Sequence, residues 1–381
     1  MSDPIIYKGR GTPEMYDDLM DFLNYVFGFD GDGEDFKKTL PKLYNPECDP
    51  CHANYVVTEN GKLKAAIGAF DSDVSVGGEV LHCRGIGNVA VHPYSRSKGY
   101  MIDCMNRALE GMKADGVDYS ILGGRRQRYG YFGFDNLGTE YRVSVNRNNM
   151  RYIFGKEPFV DLELHRVEAE DAELLDQMYA LHAARPLHTV RPREKFFDIA
   201  RSWYASVWAI LKDGDFRGYF VGNLQELTLV DPADFNDVVR NYVRKLGEVT
   251  IRIPAWDTEL LEAAMKISEH TEIGECDMFN VLNYERMVGA FLRFKASYDA
   301  LGDGEITTFI HGYAGDCKLK IAVQGGVPAV EAYDGDCRFE FSHFEAMQFF
   351  FGLHSPYRRE LAPEMRCWFP LPLYIEPADH V

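Results

Sequence analysis

The chain has 381 residues, of which 46% are hydrophobic and 26% are charged. This length and composition indicate a globular protein of two or three domains and exclude a disordered chain. The formal net charge of -18 argues against a nucleic-acid-binding surface and favours cationic partners or substrates, although an acidic surface also serves solubility alone.

The sequence also predicts the compartment and the state of its cysteines. The first residues lack a basic segment followed by an apolar one, and no apolar run approaches the ~20 residues of a membrane span. We therefore expect a cytoplasmic protein without a membrane partner, whose eight cysteines are reduced thiols. The segment Cys48-Asp-Pro-Cys51-His52 fits a haem-attachment pattern, but that chemistry needs export, and a second cysteine pair for zinc is missing. We predict no metal site.

The first elements are a helix and a hairpin. Apolar residues at helical spacing predict a helix over 13–27, followed by an acidic loop over 30–35 whose carboxylates are candidates for recruiting a cationic amine. Strands are predicted over 53–59 and 62–70. Asn60-Gly61 between them is a strong signal for a tight hairpin turn.

A phosphate-binding turn is predicted next, in Asn88-Val-Ala-Val-His-Pro-Tyr-Ser-Arg-Ser-Lys-Gly-Tyr-Met101. This stretch is typical of a buried strand over 87–91, a turn with Arg96 and Gly99, and a helix over 100–114. Such a turn directs backbone N–H groups and a helix N-terminus at a phosphate.

A tyrosine-bearing turn follows a strand predicted over 119–123. Its sequence is Gly123-Gly-Arg-Arg-Gln-Arg-Tyr-Gly-Tyr-Phe-Gly-Phe134. The turn places the phenol of Tyr129 in a tight, glycine-flanked position, where it could act on a bound ligand. The alternative is a packed aromatic corner. Tyr131 is expected to point the opposite way. A phosphate site followed by a positioned phenol indicates group transfer from a phosphate-bearing carrier.

The second half repeats the first without its phosphate turn. Residues 207–221 again give strand, tight turn at Asp213-Gly214, and strand, followed by a helix over 232–246. This self-similarity predicts a duplicated domain that binds no cofactor. After residue 289, four short strands and a helix capped by Ser342 are predicted, the strands over 305–310, 318–323, 329–333 and 338–341.

Together, the two site stretches resemble the acyl-coenzyme A site of the GNAT N-acetyltransferase superfamily. Arg96-Ser-Lys-Gly-Tyr-Met101 matches the signature Arg/Gln-x-x-Gly-x-Gly/Ala, with Met101 in place of the small last residue. The stretch Arg128–Phe134 is similar to that of Eis-type acetyltransferases. This resemblance implies an α+β fold with two tandem GNAT-type mixed-sheet domains followed by an α+β sterol-carrier-like domain. We predict boundaries of 1–150 for the first domain with the acetyl-CoA site, 151–288 for the degenerate second, and 289–381 for the third.

The resemblance also implies a donor site for acetyl-CoA as co-substrate. A backbone N–H in the strand would polarise the thioester carbonyl, and the turn would wrap the pyrophosphate. Gly124 stands where the family often has serine. The implied cofactor-binding residues are Val89, Ala90, Val91, Arg96, Ser97, Lys98, Gly99, Tyr100, Met101, Ile102, Gly124 and Arg125.

Two catalytic residues are carried over in the same way. Tyr129 corresponds to the family's general acid, and Val381 would supply a C-terminal carboxylate as candidate base. A primary amine has a pKa of about 10.4 and arrives charged, so it must lose a proton. The apolar, proline-containing segment over 367–375 is typical of a tail that is held in place.

The resulting hypothesis is an acetyl-CoA-dependent N-acetyltransferase acting on the primary amine of a small cationic substrate. A protein or peptide amine as acceptor remains an alternative, as does a non-enzymatic acyl-CoA or lipid-binding protein that uses the third domain. For the third domain, we prefer the interpretation as a structural cap to a lipid-binding role, because a fold does not imply a function. The family also implies a homo-oligomer, such as a hexamer.

Overall fold

The computed structural model describes residues 4–29 and 35–381. The predicted acidic amine-recruiting loop over 30–35 therefore lies, except for Asp35, outside the described residues. Among the helices of the described ranges, none is both long and apolar enough to cross a bilayer.

The first unit consists of eight strands and six helices. They are β1 Ile6–Arg10, α1 Tyr16–Gly28, α2 Phe36–Thr39, α3 Pro41–Tyr44, α4 Pro50–Ala53, β2 Asn54–Glu59, β3 Lys62–Asp71, β4 Val74–Val76, β5 Glu79–Leu81, β6 Cys83–Val91, α5 Tyr100–Ala114, β7 Tyr119–Leu122, α6 Arg126–Tyr129 and β8 Asp135–Leu137. The helices, strands and turns predicted here from local sequence are confirmed, with shifts of a few residues at their ends.

The second stretch of chain supplies nine strands and five helices. They are β9 Glu140–Val145, α7 Arg147–Phe154, β10 Glu163–Arg166, α8 Ala172–Ala183, β11 Leu187–Thr189, α9 Phe196–Ala200, β12 Val207–Lys212, β13 Asp215–Val221, β14 Glu226–Leu229, α10 Phe235–Lys245, β15 Val249–Pro254, α11 Thr258–Ile267, β16 His270–Gly274 and β17 Asp277–Val281. The predicted hairpin at Asp213-Gly214 joins β12 to β13 and is confirmed.

The last stretch forms a four-stranded sheet with two helices. They are α12 Tyr284–Ala296, β18 Gly304–Gly312, β19 Gly315–Gln324, β20 Val327–Ala332, β21 Phe339–Ser342 and α13 His343–Phe350. As predicted, Ser342 caps α13, where its side chain accepts from the backbone N–H of Glu345.

The two hairpins share one turn geometry. Asn60 and Gly61 have φ values of 50° and 78°, and Asp213 and Gly214 have φ values of 53° and 88°. Two successive left-handed residues form the type I′ turn whose twist matches that of the flanking strands. The repeated hairpin fits the tandem GNAT architecture.

The main sheet has the order β1-β2-β3-β6-β7-β17-β8. Its strands β6 and β7 are parallel and pair only from Cys83 to Gly85 on β6. Beyond Gly85 the two strands diverge, which opens a cleft in the middle of the sheet. Opposite this cleft, the register between β6 and β3 shifts at Ile67, and Asn88 on β6 takes a left-handed φ of 39°. This is a β-bulge.

Strands β9, β11 and β17 pair across the predicted domain boundaries, β11 with β4 of the first unit. β17 pairs with β7 and β8 of the main sheet, although it comes after the whole second unit in sequence. Conversely, β9 pairs with β15 and β16 of the second unit. The boundaries at residues 150 and 288 remain a prediction, and hydrogen bonds join the units on both sides of them.

The tail of the chain belongs to the core of the third unit. Trp368, Leu371 and Leu373 are fully buried in one cluster with Phe341 and Phe349. Burial of this segment holds the residues that follow it, so the tail leaves the third unit at a fixed point. The comparison of this unit with a sterol carrier remains a prediction.

Candidate active site

Two adjoining cavities lie where the first and second units meet. The first, here called the cleft cavity, has a volume of about 320 Å³ and lies between the diverging ends of β6 and β7. The second, here called the tail cavity, has a volume of about 480 Å³ and lies beside the end of the chain. Four residues line both cavities: Leu122, Gly123, Trp203 and Val381. Any group bound in one cavity therefore lies next to the other.

The bulge on β6 is fixed by buried side chains. The hydroxyl of Tyr44 donates to Asn88 Oδ1 at 2.7 Å, and Asn88 Nδ2 donates to Asn54 Oδ1 at 2.7 Å. Because β3 pairs with Gly87 and Ala90 around the bulge, Asn88 and Val89 have no partner residue on β3 in this register. Val89 and Asn88 line the cleft cavity, so backbone groups of the bulge are available to a ligand there.

The predicted phosphate turn has the geometry of an anion site. Ser97 and Gly99 have left-handed φ values of 66° and 80°, and α5 begins directly after Gly99. Residues 96–99 are exposed, and Gly99 offers no side-chain cap to the helix. The first N–H groups of a helix lack intrahelical acceptors and carry a partial positive charge, so this turn can bind a phosphate. A Cβ on Gly99 would meet no atom within 4 Å, so space does not require a glycine here. The left-handed φ is what favours it.

Two residues of this turn that were predicted to bind the cofactor make hydrogen bonds to Glu59. Lys98 Nζ lies 2.7 Å from Glu59 Oε1, and the hydroxyl of Tyr100 donates to the same oxygen. This hydrogen bond from Lys98 lowers the pKa of Glu59 and raises that of Lys98. Arg96 makes no side-chain hydrogen bond or ion pair recorded within the described chain, so its guanidinium remains available to an anion.

Of the other residues predicted to bind acetyl-CoA, some lie in the core and others on the surface. Ala90 is buried, whereas Val89, Val91 and Met101 are half-buried against the core below α5. Ile102 and Arg125 are exposed. Ala90 can therefore contact a ligand only through its backbone.

Tyr129 faces the cleft cavity. It is 6% exposed, and its hydroxyl makes no hydrogen bond recorded among residues 4–29 and 35–381. Tyr131 is 76% exposed and does not line the cavity. Residues 126–132 are helical, so this difference from Tyr129 does not come from the predicted strand alternation. A Cβ on Gly124 would lie 2.5 Å from Cε2 of Tyr129, so the ring of Tyr129 occupies the space that a serine would need.

Val381 lies against the floor of the cleft. A Cβ on Gly87 would be 3.2 Å from the carbonyl carbon of Val381, and one on Gly85 would be 2.5 Å from its Cγ2. Two glycines on β6 thus leave room for the tail. The structure brings the two predicted catalytic residues, Tyr129 and Val381, to the walls of one cavity.

Comparison with known families agrees with this geometry. The family model described as an acetyltransferase (GNAT) domain matches residues 10–136, which contain the cleft, the phosphate turn and Tyr129. This region is a GNAT acetyltransferase domain. The protein is accordingly an acetyltransferase, and its class uses acyl-CoA as donor. No curated protein matches the sequence.

Solved structures show that the resemblance in fold extends over most of the chain. A GCN5-related N-acetyltransferase from Anabaena variabilis ATCC 29413 is 14% identical, with a TM-score of 0.65 over 94% of this chain and 93% of that one. One from Kribbella flavida is 17% identical, with a TM-score of 0.61 over 89% and 87%. Eis1 from Mycobacterium abscessus is 10% identical, with a TM-score of 0.60 over 89% and 87%. At these identities the similarity establishes the fold, and it confirms the Eis-like architecture.

The tail of this acetyltransferase is held by a buried ionic cluster. Arg191 donates to both oxygens of Asp379 at 2.8 and 2.9 Å and to both oxygens of Glu226 at 2.9 and 2.7 Å. All three residues are at most 3% exposed. Burial works to raise the pKa of the Asp379 carboxyl, but the charge of Arg191 outweighs it, and the pKa falls below its usual value. Asp379 is therefore a fixed anion two residues before Val381.

The first unit also binds the tail. Lys42 Nζ donates to the carbonyl oxygens of Ala378 and His380, both at 2.6 Å. Trp203 Nε1 donates to the His380 carbonyl at 3.2 Å. Burial lowers the pKa of Lys42 to about 7 against the opposing charge of Asp379. We call Lys42, Arg191, Trp203 and Glu226 the tail clamp, because together they fix residues 378–380.

The tail cavity carries further titratable groups. His380 Nε2 lies 3.5 Å from Asp277 Oδ2, and both residues line the cavity. Burial lowers the pKa of His380 and raises that of Asp277. Glu226 also lines this cavity, but Arg191 compensates its charge. Asp277 is thus the carboxylate side chain that faces a ligand here.

Sequence reasoning missed these four residues: Lys42, Arg191, Glu226 and Asp277. They come from four separate segments, and none stands in a recognisable spacing with another. Gly85 and Gly87 gave a weak signal, since two glycines within one strand indicate close approach of another backbone.

Proposed function

We propose that this acetyltransferase transfers the acetyl group of acetyl-CoA to the primary amine of a small cationic molecule. The observation that supports this is the position of Val381 and Trp203 in the walls of both cavities. The cleft cavity then holds the thioester and the tail cavity holds the acceptor. The reacting atoms meet where the cavities join.

The donor is held mainly by backbone. The pyrophosphate binds to the turn at residues 96–99 and to the N-terminus of α5, with Arg96 adding charge. The pantetheine arm runs along β6, and an N–H at the bulge donates to the thioester oxygen. A donor at that point stabilises the negative charge that develops on the oxygen in the transition state.

Proton transfers complete the reaction. The amine arrives protonated, and a carboxylate at Val381, the proposed base, accepts one proton. The amine nitrogen then attacks the carbonyl carbon and a C–N bond forms. The nitrogen, positively charged after the attack, releases its second proton to solvent, and the C–S bond breaks. Tyr129 donates its phenolic proton to the departing thiolate and regains one from solvent. The products are an amide and free CoA.

The tail cavity favours a cation. Asp277 and the Val381 carboxylate face it, and the nearby Arg191 is fully used by Glu226 and Asp379. A substrate with a second positive charge would gain from this field. A polyamine or aminoglycoside-like compound has that character.

The test is a CoA-release assay with a panel of amines, supported by mass detection of the products. Diamines and polyamines should be acetylated faster than monoamines of equal length, which carry a single positive charge. If no amine in the panel increased CoA release above the hydrolysis background, the proposal would fail.

The role of Val381 is tested by two variants. Deletion of Val381 moves the carboxylate away from the cleft, so kcat should fall by about 100-fold or more. Val381→Ala retains the α-carboxylate and should keep a larger share of kcat than the deletion does. Equal activity in the deletion variant and the wild type would exclude the carboxylate as base. The homo-oligomer implied by the family remains a prediction, and sedimentation velocity would measure it.

A further inference from the structure

A third cavity lies in the second unit, away from the residues that hold the tail. It has a volume of about 450 Å³ and is formed mainly by α7 and α10 with the loop after α7. Its lining consists of four arginines and four apolar side chains: Arg147, Met150, Arg151, Phe154, Phe159, Arg240, Val243 and Arg244. We call it the arginine cavity.

The arginines come in two pairs, each one helical turn apart. Arg147 and Arg151 share a face of α7, and Arg240 and Arg244 share a face of α10. Like charges at this spacing destabilise a helix, and here two such pairs line one cavity. Arg147, Arg151 and Arg244 are exposed to solvent, and an anion bound among them would relieve this repulsion.

A compensating negative charge is largely missing from the described chain. Arg240 Nη1 lies 3.5 Å from Asp237 Oδ1 and donates to the Pro158 carbonyl, while its Nη2 donates to the Glu157 carbonyl. For Arg147, Arg151 and Arg244, no ion pair or side-chain hydrogen bond is recorded within residues 4–29 and 35–381. The chain has 59 acidic and 41 basic residues, so three unpaired guanidinium groups in one cavity are unexpected.

The apolar lining presents flat surfaces to a ligand. The guanidinium of Arg244 lies 4.4 Å from the ring centroid of Phe159, and that of Arg240 lies 5.5 Å from it on the same ring. Arg240 also lies 4.9 Å from the ring of Phe154. Phe159 is 37% exposed, so part of its ring remains open. These contacts fix two of the arginines in place before any ligand binds.

We propose that the arginine cavity binds a small aromatic phosphate of about nucleotide size. The planar guanidinium matches two phosphate oxygens at once and also stacks on flat rings, which lysine does not do. The phosphate would bind to Arg147, Arg151 and Arg244, and the aromatic group would pack on Phe159 and Met150. This site is independent of the proposed transfer reaction.

The experiment uses a small aromatic phosphate as the probe. Because CoA itself carries an adenine ring and phosphates and would compete for the arginine cavity, 1-naphthyl phosphate is titrated by calorimetry into the intact protein without CoA. The same titration of Arg96→Gln shows whether any of the binding belongs to the phosphate turn. We expect saturable binding that weakens with added salt, because exposed charges are screened. Inorganic phosphate lacks the aromatic ring of the probe, and 1-naphthol lacks its phosphate. Each should bind at least about tenfold more weakly than 1-naphthyl phosphate, because it makes only part of the contacts.

Matched variants locate the binding. The double variant Arg151→Gln/Arg244→Gln should weaken 1-naphthyl phosphate by about tenfold or more, because each charged hydrogen bond lost costs about that much. Arg166→Gln is the control, since Arg166 is exposed on β10 and 3.7 Å from Glu168. The melting temperature of both variants should match that of the wild type. If the double variant fails to fold, Arg244→Lys is used instead. It retains the positive charge but not the planar guanidinium that binds two phosphate oxygens, so the affinity for 1-naphthyl phosphate should fall by less than tenfold.

Three results would overturn the proposal. The first is the absence of heat on titration of 1-naphthyl phosphate into the wild type. The second is equal affinity in the wild type and in the folded double variant. The third is a combination of two results: the wild type does not bind the probe, and the oligomeric mass of the double variant, measured by sedimentation, differs from that of the wild type. In that case the cavity is an interface with an acidic surface of a second copy.

Discussion

The cleft of the first unit and the tail clamp lie side by side but are built in opposite ways. The cleft is lined by the bulge on β6, apolar side chains and Tyr129, and the hydroxyl of Tyr129 has no hydrogen-bond partner within the described chain. In the adjacent phosphate turn, the side chain of Arg96 likewise has none there. The charged members of the tail clamp, Lys42, Arg191 and Glu226, are buried, and each already makes hydrogen bonds within the protein. A region that must receive a ligand keeps its polar groups free, whereas a region that must hold a segment of its own chain satisfies them in advance.

The most damaging change should be in the clamp. Arg191→Ala leaves Glu226 and Asp379 buried next to each other without their cation, and breaking a buried pair in this way costs about 3–5 kcal/mol. Urea unfolding should show that loss, and kcat should fall because Val381 is no longer fixed. Arg193→Ala is the control: its partner Asp176 is 69% exposed at the side chain, so the loss should stay below about 1 kcal/mol. Equal losses in both variants would contradict the role of the clamp.

The next largest effect should come from the cleft. Tyr129→Phe removes the proposed acid but keeps the ring that packs against Gly124, so kcat should fall by about 100-fold to 10,000-fold. Acetyl-CoA affinity, measured by calorimetry, should change little, because the lost interaction belongs to the transition state. Tyr131→Phe serves as the control, since Tyr131 is exposed and outside the cavity. A wild-type rate for Tyr129→Phe would remove this residue from the mechanism.

The pH dependence of stability distinguishes the clamp from the cleft. The pKa of Lys42 is lowered to about 7 in the folded protein, mainly by burial. Between about pH 7 and 10 the unfolded chain retains a proton that the folded chain has released, so this residue makes stability rise with pH by up to about 1.4 kcal/mol per unit. Lys42→Met should lack that rise. Calorimetric unfolding at several pH values checks it, and parallel curves for both proteins would contradict it.

The smallest predicted difference lies within the phosphate turn. Arg96→Gln should weaken acetyl-CoA by about tenfold, because a charge-assisted contact to phosphate is lost. Lys98→Gln should weaken it by only about twofold, because Glu59 already compensates that charge, and exposed pairs contribute little. Calorimetric titration compares them directly. A larger loss for Lys98→Gln than for Arg96→Gln would show that Lys98 leaves Glu59 when the cofactor binds.

The same contrast explains what could be predicted from the sequence. The hairpin at Asn60-Gly61, the turn at Gly99 and helix α5 depend on residues close together in sequence, and each was predicted near its observed position. The donor site is built largely from such segments, so its location was predictable. Tyr129 was found for the same reason.

The clamp could not be predicted, because its members meet only in the folded chain. Arg191 and Asp379 are 188 residues apart, and Lys42 and Ala378 are 336 apart. Nothing local distinguishes a buried arginine from an exposed one, and most arginines are exposed. The crossing of β9 and β17 between units has the same cause, since strand pairing over such distances leaves no trace in the periodicity of either strand.

The late arrival of β17 has a consequence for synthesis of the protein. Strand β17 lies between β7 and β8 in the main sheet, but in the chain 139 residues, 138–276, separate the end of β8 from the start of β17. At translation rates of about 5–20 residues per second, the nascent main sheet waits roughly 7–30 s for that strand. During this interval the edge of β7 is unpaired, which is the condition under which a nascent sheet recruits a wrong partner. Ribosome-bound chains should therefore need a chaperone until residue 281 has emerged.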